Sequence, residues 1–146
     1  MVSRRQLEML NPEQCLELLQ TVRVGRLVFT ESALPAVQPV NFRLHRGQVV
    51  IRVAGGAKLA AATDRSVVAF EADELDPDLR TGWSVTVVGH AEPITEVAEL
   101  LEISGTWLQP WADGRRDHFV RIRTQKVTGR KLLAPAAAGP SGPGSV

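Results

Sequence analysis

The β-type runs of this chain stand so close together that few helices fit between them. Six runs are legible: Val24 to Thr30, Pro39 to His45, Gln48 to Val53, Ser66 to Ala72, Gly82 to Ile94 and Phe119 to Val127. A doubly wound parallel sheet needs a helix after almost every strand. Here one helix-forming stretch, Ala57 to Ala62, crosses between runs, and a second, from Thr95, caps them. Glycine turns join the rest. That combination predicts a closed or nearly closed antiparallel barrel.

The stretch from Pro39 to Ala62 carries the clearest chemistry. Val40, Phe42 and Leu44 alternate with Asn41, Arg43 and His45, the period of a half-buried strand. Arg46-Gly47 supplies a tight turn, and Gln48 to Val53 is a second β-branched run holding one charge, Arg52. Gly55-Gly56 then breaks the strand, and Ala57 to Ala62 favours helix. A glycine corner that opens a helix leaves backbone N–H groups pointing outward at the positive end of the helix dipole. With Lys58 in the first turn and Arg52 on the strand leading in, the corner suits a phosphate monoester. Neither GxxxxGK[ST] nor GxGxxG is present, so a nucleoside-triphosphate loop is not expected.

At 146 residues the chain is expected to form one domain, Met1 to Leu133, followed by a disordered tail from Ala134 to Val146. Lys+Arg 17 against Asp+Glu 16 gives a net charge of +1, which implies no general attraction to nucleic acid or to an anionic membrane. A single cysteine, Cys15, excludes an internal disulfide and multi-thiolate zinc clusters. No signal-type h-region or 18-residue apolar run occurs, so a soluble, cytoplasmic protein is expected.

Met1 to Leu10 reads as a loose lead-in. Asn11-Pro12-Glu13-Gln14 is a helix start, with Asn11 as N-cap, Pro12 at the first helical position and Gln14 closing a capping box. Cys15 lies in the apolar stripe of that helix beside Leu16, Leu18 and Leu19, which marks a structural thiol. The acidic cluster Glu71, Asp73, Glu74, Asp76 and Asp78 falls where a strand becomes a loop, so solvated turn carboxylates are expected and no metal. Gly89 interrupts an alternating run, the mark of a bulge or a close backbone approach. Ser104-Gly105 is expected to stop the last helix, placing Trp107 and Trp111 in a loop. For each tryptophan, including Trp83, core or subunit packing is the default role.

The ordered segments VGRLVFT, PAVQPVNF, VVIRVAGGAKLAAA, VAFEAD, GWSVTVVGHAE and FVRIRTQKVTGRKL resemble the pyridoxamine 5′-phosphate oxidase-like family of flavin-binding split barrels. The nearest branch is the small single-domain one that includes the nitroimidazole reductases, and the resemblance runs from about Leu7 to Leu133. It implies a mainly β (α+β) fold, a six-stranded antiparallel split β-barrel with short flanking helices. It also implies a homodimer with two flavin mononucleotide (FMN) sites in the groove between subunits. Pro39, Val40 and Asn41 then run along the isoalloxazine edge, Arg52 and Lys58 take the phosphate, and Trp83 and Ser84 approach from the other subunit.

The C-terminal Arg-x-His-type segment that grips pyridoxal phosphate in the true oxidases has no counterpart, Arg130 being only a distant stand-in. Vitamin B6 synthesis is therefore not implied. His45, His90 and His118 do not match the flavin-side histidine of the nitroimidazole reductases. The implied function is an FMN-binding oxidoreductase of a small substrate, with hydride or electrons passing through flavin N5 from a reduced nicotinamide or other donor. A non-catalytic flavin or heme carrier or sensor, and a deazaflavin-dependent reductase, are the alternatives. No residue pattern identifies a catalytic nucleophile, base or metal triad.

Overall fold

The computed structural model describes residues 6–54, 57–107 and 117–133. Among these, eight strands and three helices follow the order β1 (Gln6–Leu10), α1 (Pro12–Leu19), β2 (Val24–Glu31), β3 (Leu34–His45), β4 (Gln48–Ala54), α2 (Ala57–Thr63), β5 (Val67–Asp76), β6 (Thr81–Pro93), α3 (Val97–Trp107), β7 (Asp117–Ile122) and β8 (Lys126–Leu133). Six strands in the order β6-β5-β2-β3-β4-β7 close on themselves through a β6–β7 pairing. β8 lies along the first half of β6, and β1 along β8. The barrel is therefore closed at one end of β6 and split at the other.

Alternation explains which residues fill it. Leu27, Phe29, Val40, Phe42, Val49, Ile51, Phe70, Val85, Val87 and Ile122 point inward and are buried. Phe42 and Phe70 pack with ring centroids 4.6 Å apart at 58°, a favourable tilted pair. Two-residue turns close the first hairpins. Ser32 and Ala33 (φ 50° and 65°) and Arg46 and Gly47 (φ 54° and 75°) are left-handed at both positions, as the right-handed strand twist favours.

The expected cap of α1 is formed: Asn11 accepts from the Gln14 N–H at 2.8 Å, and Gln14 accepts from the Asn11 N–H at 2.9 Å. The close approach expected at Gly89 is also present, since a Cβ there would stand 1.6 Å from the Arg123 carbonyl oxygen.

Three expectations are corrected. Residues 6–10 of the presumed lead-in form β1, paired with β8 from Gln6↔Leu133 to Leu10↔Gly129; Met1 to Arg5 lie outside the described residues. The last run is two strands, because Arg123 to Gln125 crosses over Gly89 and turns the chain from β7 to β8. There Arg123 donates to the His90 carbonyl, and Gln125 to the Val88 carbonyl. Finally, α3 continues through Ser104-Gly105 to Trp107. Trp111 and the tail from Ala134 lie outside the described residues. Among the described residues, no helix is long and apolar enough to cross a membrane.

Candidate functional site

Strand register brings Asn41 and Arg52 together. They are direct partners across β3 and β4, with Val24 beyond Asn41 and Phe119 beyond Arg52. Directly opposed residues share a face, and here it is the outer one, because the alternating residues Val40, Phe42, Ile51 and Val53 fill the core. Pro39 and Asn41 are exposed, and Arg52 is half-buried. The buried Val40 between them locks that orientation, since a one-residue slip would turn it out.

Arg43 stands on the same face, opposite Val50. It is a diagonal neighbour of Arg52, a spacing of roughly 7–8 Å in such sheets. Burial, and then the neighbouring charge of Arg23, hold the Arg43 guanidinium below the usual arginine range. Arg43 and Arg52 set two planar, bidentate guanidinium groups on one face, a donor set that fits a phosphate monoester. α2 is seven residues long, less than two full turns, so the side-chain cations rather than its dipole carry this argument. Lys58 lies in its first turn; the Lys58 side chain and Gly55-Gly56 are outside what is described.

The remaining expected pair separates. Trp83 is 7% exposed and belongs to the barrel core, whereas Ser84 points outward. The Ser84 hydroxyl donates to Glu71 Oε2 at 3.3 Å. Following the ring order, β6 and β3 are three strands apart in either direction, so Ser84 lies across the barrel from Asn41. Within one chain they do not line one groove.

Sequence reasoning missed the polar belt beside Ser84. β5 continues to Asp76, so Glu71 and Asp73 are strand residues on the outer face, half-buried, rather than solvated turn carboxylates. Arg26 bridges them, 2.9 Å to Glu71 and 3.4 Å to Asp73. Burial, and then Asp73, push the Glu71 carboxyl up. Their two-residue spacing in VVAFEAD was the available signal. The turn reading does fit Asp76, whose Oδ1 accepts from the N–H groups of Asp78 and Leu79.

A second cluster docks α3. Glu99 is bound by both terminal nitrogens of Arg121, and His45 Nε2 lies 3.7 Å away. Val50, Ile94, Ile103 and Phe119 form a small core under this helix, so α3 covers the outer face beside Arg52 and holds its neighbour Phe119 in place.

The sequence profile of the pyridoxamine 5′-phosphate oxidase family matches residues 11–131. An uncharacterized protein of Mycobacterium tuberculosis, Rv0080, is 39% identical over 137 residues, 90% of each chain. The FAD binding protein from Mycobacterium smegmatis is 35% identical with a TM-score of 0.74, covering 86% of this chain and all of that one. A conserved protein of unknown function from Corynebacterium diphtheriae is 28% identical with a TM-score of 0.74, covering 87% of this chain and 98% of that one. The closed six-stranded barrel, its split at β8 and the profile match over most of the chain agree: the chain belongs to the pyridoxamine 5′-phosphate oxidase family.

Proposed function

We propose that this protein binds the flavin mononucleotide moiety, as FMN or within FAD, between two copies of itself and acts as an oxidoreductase on a small substrate. The observation that carries the reading is the facing pair Asn41 and Arg52, with Arg43 diagonal to them on the same outer face. The 35% identity to an FAD binding protein supports it. In this reading Arg52 and Lys58 hold the phosphate through charge-assisted hydrogen bonds. Asn41 offers both a donor and an acceptor to the pyrimidine edge. Pro39 shapes the strand beside it, and Val40 anchors that strand from inside.

Ser84 and Asn41 lie on opposite sides of one barrel, so a groove using both needs a second copy. That is the structural argument for a homodimer. When bound, a flavin supplies hydride and single-electron chemistry through its N5, with a reduced nicotinamide as donor class. The chain's own contribution is position, ring-edge hydrogen bonds and a phosphate clamp.

The test is an absorption spectrum of protein mixed with FMN or FAD and freed of excess, followed by a nicotinamide oxidation assay. Bands near about 370 and 450 nm belong to a retained flavin. Retention with NADH or NADPH oxidation supports the reading. Retention without oxidation points to a carrier, and no retention of either flavin overturns it.

A further inference from the structure

A cleft of about 280 Å³ opens on the outer face where β6 runs beside β8, lined by Ser84, Thr86, Thr128, Gly129 and Arg130. Register sets Ser84 opposite Arg130 and Thr86 opposite Thr128. Val85 and Val87 are buried, so these four residues take the outer face. Three hydroxyls and a guanidinium therefore line one opening, with Gly129 adding only backbone.

The charges around it are divided. Glu71 and Asp73, next along the face, are engaged by Arg26, and Glu71 also accepts from Ser84. Among the described residues Arg130 has no ion-pair partner. A cleft with a fork-shaped cation, several hydroxyls and little apolar wall does not suit a flat ring system. It suits a phosphorylated sugar, which needs a bidentate cation for the phosphate and hydroxyl partners for the ribose.

We infer that this cleft is a second binding site, which takes the phosphorylated ribose of an adenine dinucleotide. The identity of that dinucleotide rests on the flavin reading above: it is FAD itself or the nicotinamide donor, both of which carry an adenylate half. The site lies beside Ser84, so in a two-copy groove it extends the flavin site rather than competing with it.

The experiment compares the wild-type protein with Arg130→Ala and Thr128→Val by calorimetric titration with AMP, FMN, FAD and NADPH. Circular dichroism melting checks that each variant is folded, and the near-isosteric Thr128→Val serves if Arg130→Ala is not. AMP is expected to bind the wild type, about tenfold or more weaker to Arg130→Ala and several-fold weaker to Thr128→Val, with FMN unchanged. A selective loss for FAD assigns the cleft to the flavin's adenylate half, and a selective loss for NADPH assigns it to the donor; either supports the inference. If neither flavin binds but AMP still does so through Arg130, the flavin reading fails and the cleft stands. No AMP binding to the wild type, or an equal loss of FMN and FAD in Arg130→Ala, overturns it.

Discussion

Gly129 on β8 lies directly beneath Cys15 of α1. A Cβ built on Gly129 would stand 2.5 Å from the Cys15 Sγ, with Leu10 and Val85 atoms each 3.2 Å away. Cys15 is fully buried, and burial pushes its thiol up from the ordinary range. The sulfur fills the space that the missing side chain leaves, and α1 is held against the barrel by that contact. This is the structural role of the lone thiol.

Gly129→Ala should therefore overpack this joint and cost about 1–3 kcal/mol, read as a lowered urea midpoint. Adding Cys15→Ala removes the colliding atom and should return part of the loss, a coupling that a double-mutant cycle measures. Additive effects of the two substitutions would show that α1 does not rest on this contact.

Glu99 is 7% exposed, and its hydrogen bonds to Arg121 hold the carboxyl below the usual glutamate range, against the upward push of burial. A depressed folded-state value contributes stability above the unfolded-chain value, which is lost as pH falls through the folded one. The affected window thus lies below the ordinary value of 4.5. Glu99→Gln should destabilise the protein by about 1–3 kcal/mol at pH 7 and flatten the acid limb of a melting curve taken from pH 6 to 3. An acid limb parallel to the wild type would assign that limb to other carboxylates.

The opposed positions of Asn41 and Ser84 give a test of the two-copy groove. Light scattering should read twice the 15.9 kDa monomer mass at micromolar concentration. Arg52→Ala and Ser84→Trp chains, each poor at binding flavin alone, should regain one competent groove when mixed and refolded together, because one heterodimer groove carries neither change. Monomeric mass, or no recovery on mixing, would rule out a shared site.

Much of the fold was legible because it is local. The alternation of Val40 and Phe42 against Asn41 and Arg43 fixed the inner and outer faces of β3, and Arg46-Gly47 marked the turn that sets Asn41 opposite Arg52. What escaped depended on distant partners. The QLEML of β1 has no strict period, and its pairing is with residues 129–133 at the far end of the chain. The break between β7 and β8 is imposed by Gly89, more than thirty residues earlier, while the local pattern runs on unbroken. Glu71 and Asp73 looked like a turn because Asp76 and Asp78 form one just beyond; pairing with β6, and for Glu71 also with Arg26 of β2, keeps them on a strand. Position across the barrel, which separates Ser84 from Asn41, is invisible to any local window.

The facing pair Asn41 and Arg52 leads to the most direct test of the function. A charge-assisted hydrogen bond to a phosphate dianion contributes typically about 1.5–3 kcal/mol. Arg52→Ala, and separately Lys58→Ala, should therefore weaken FMN binding by roughly ten- to a hundredfold, at about 1.4 kcal/mol per tenfold. Riboflavin keeps the ring and lacks the phosphate. It should bind the wild type poorly and be nearly indifferent to either substitution, whereas Asn41→Ala should weaken both ligands by acting at the ring edge. Fluorescence quenching of each ligand on titration gives both affinities from the same samples. Equal losses for FMN and riboflavin in Arg52→Ala would mean that the strand, not a phosphate contact, had been disturbed. No loss in either variant would place the phosphate away from β4 and α2.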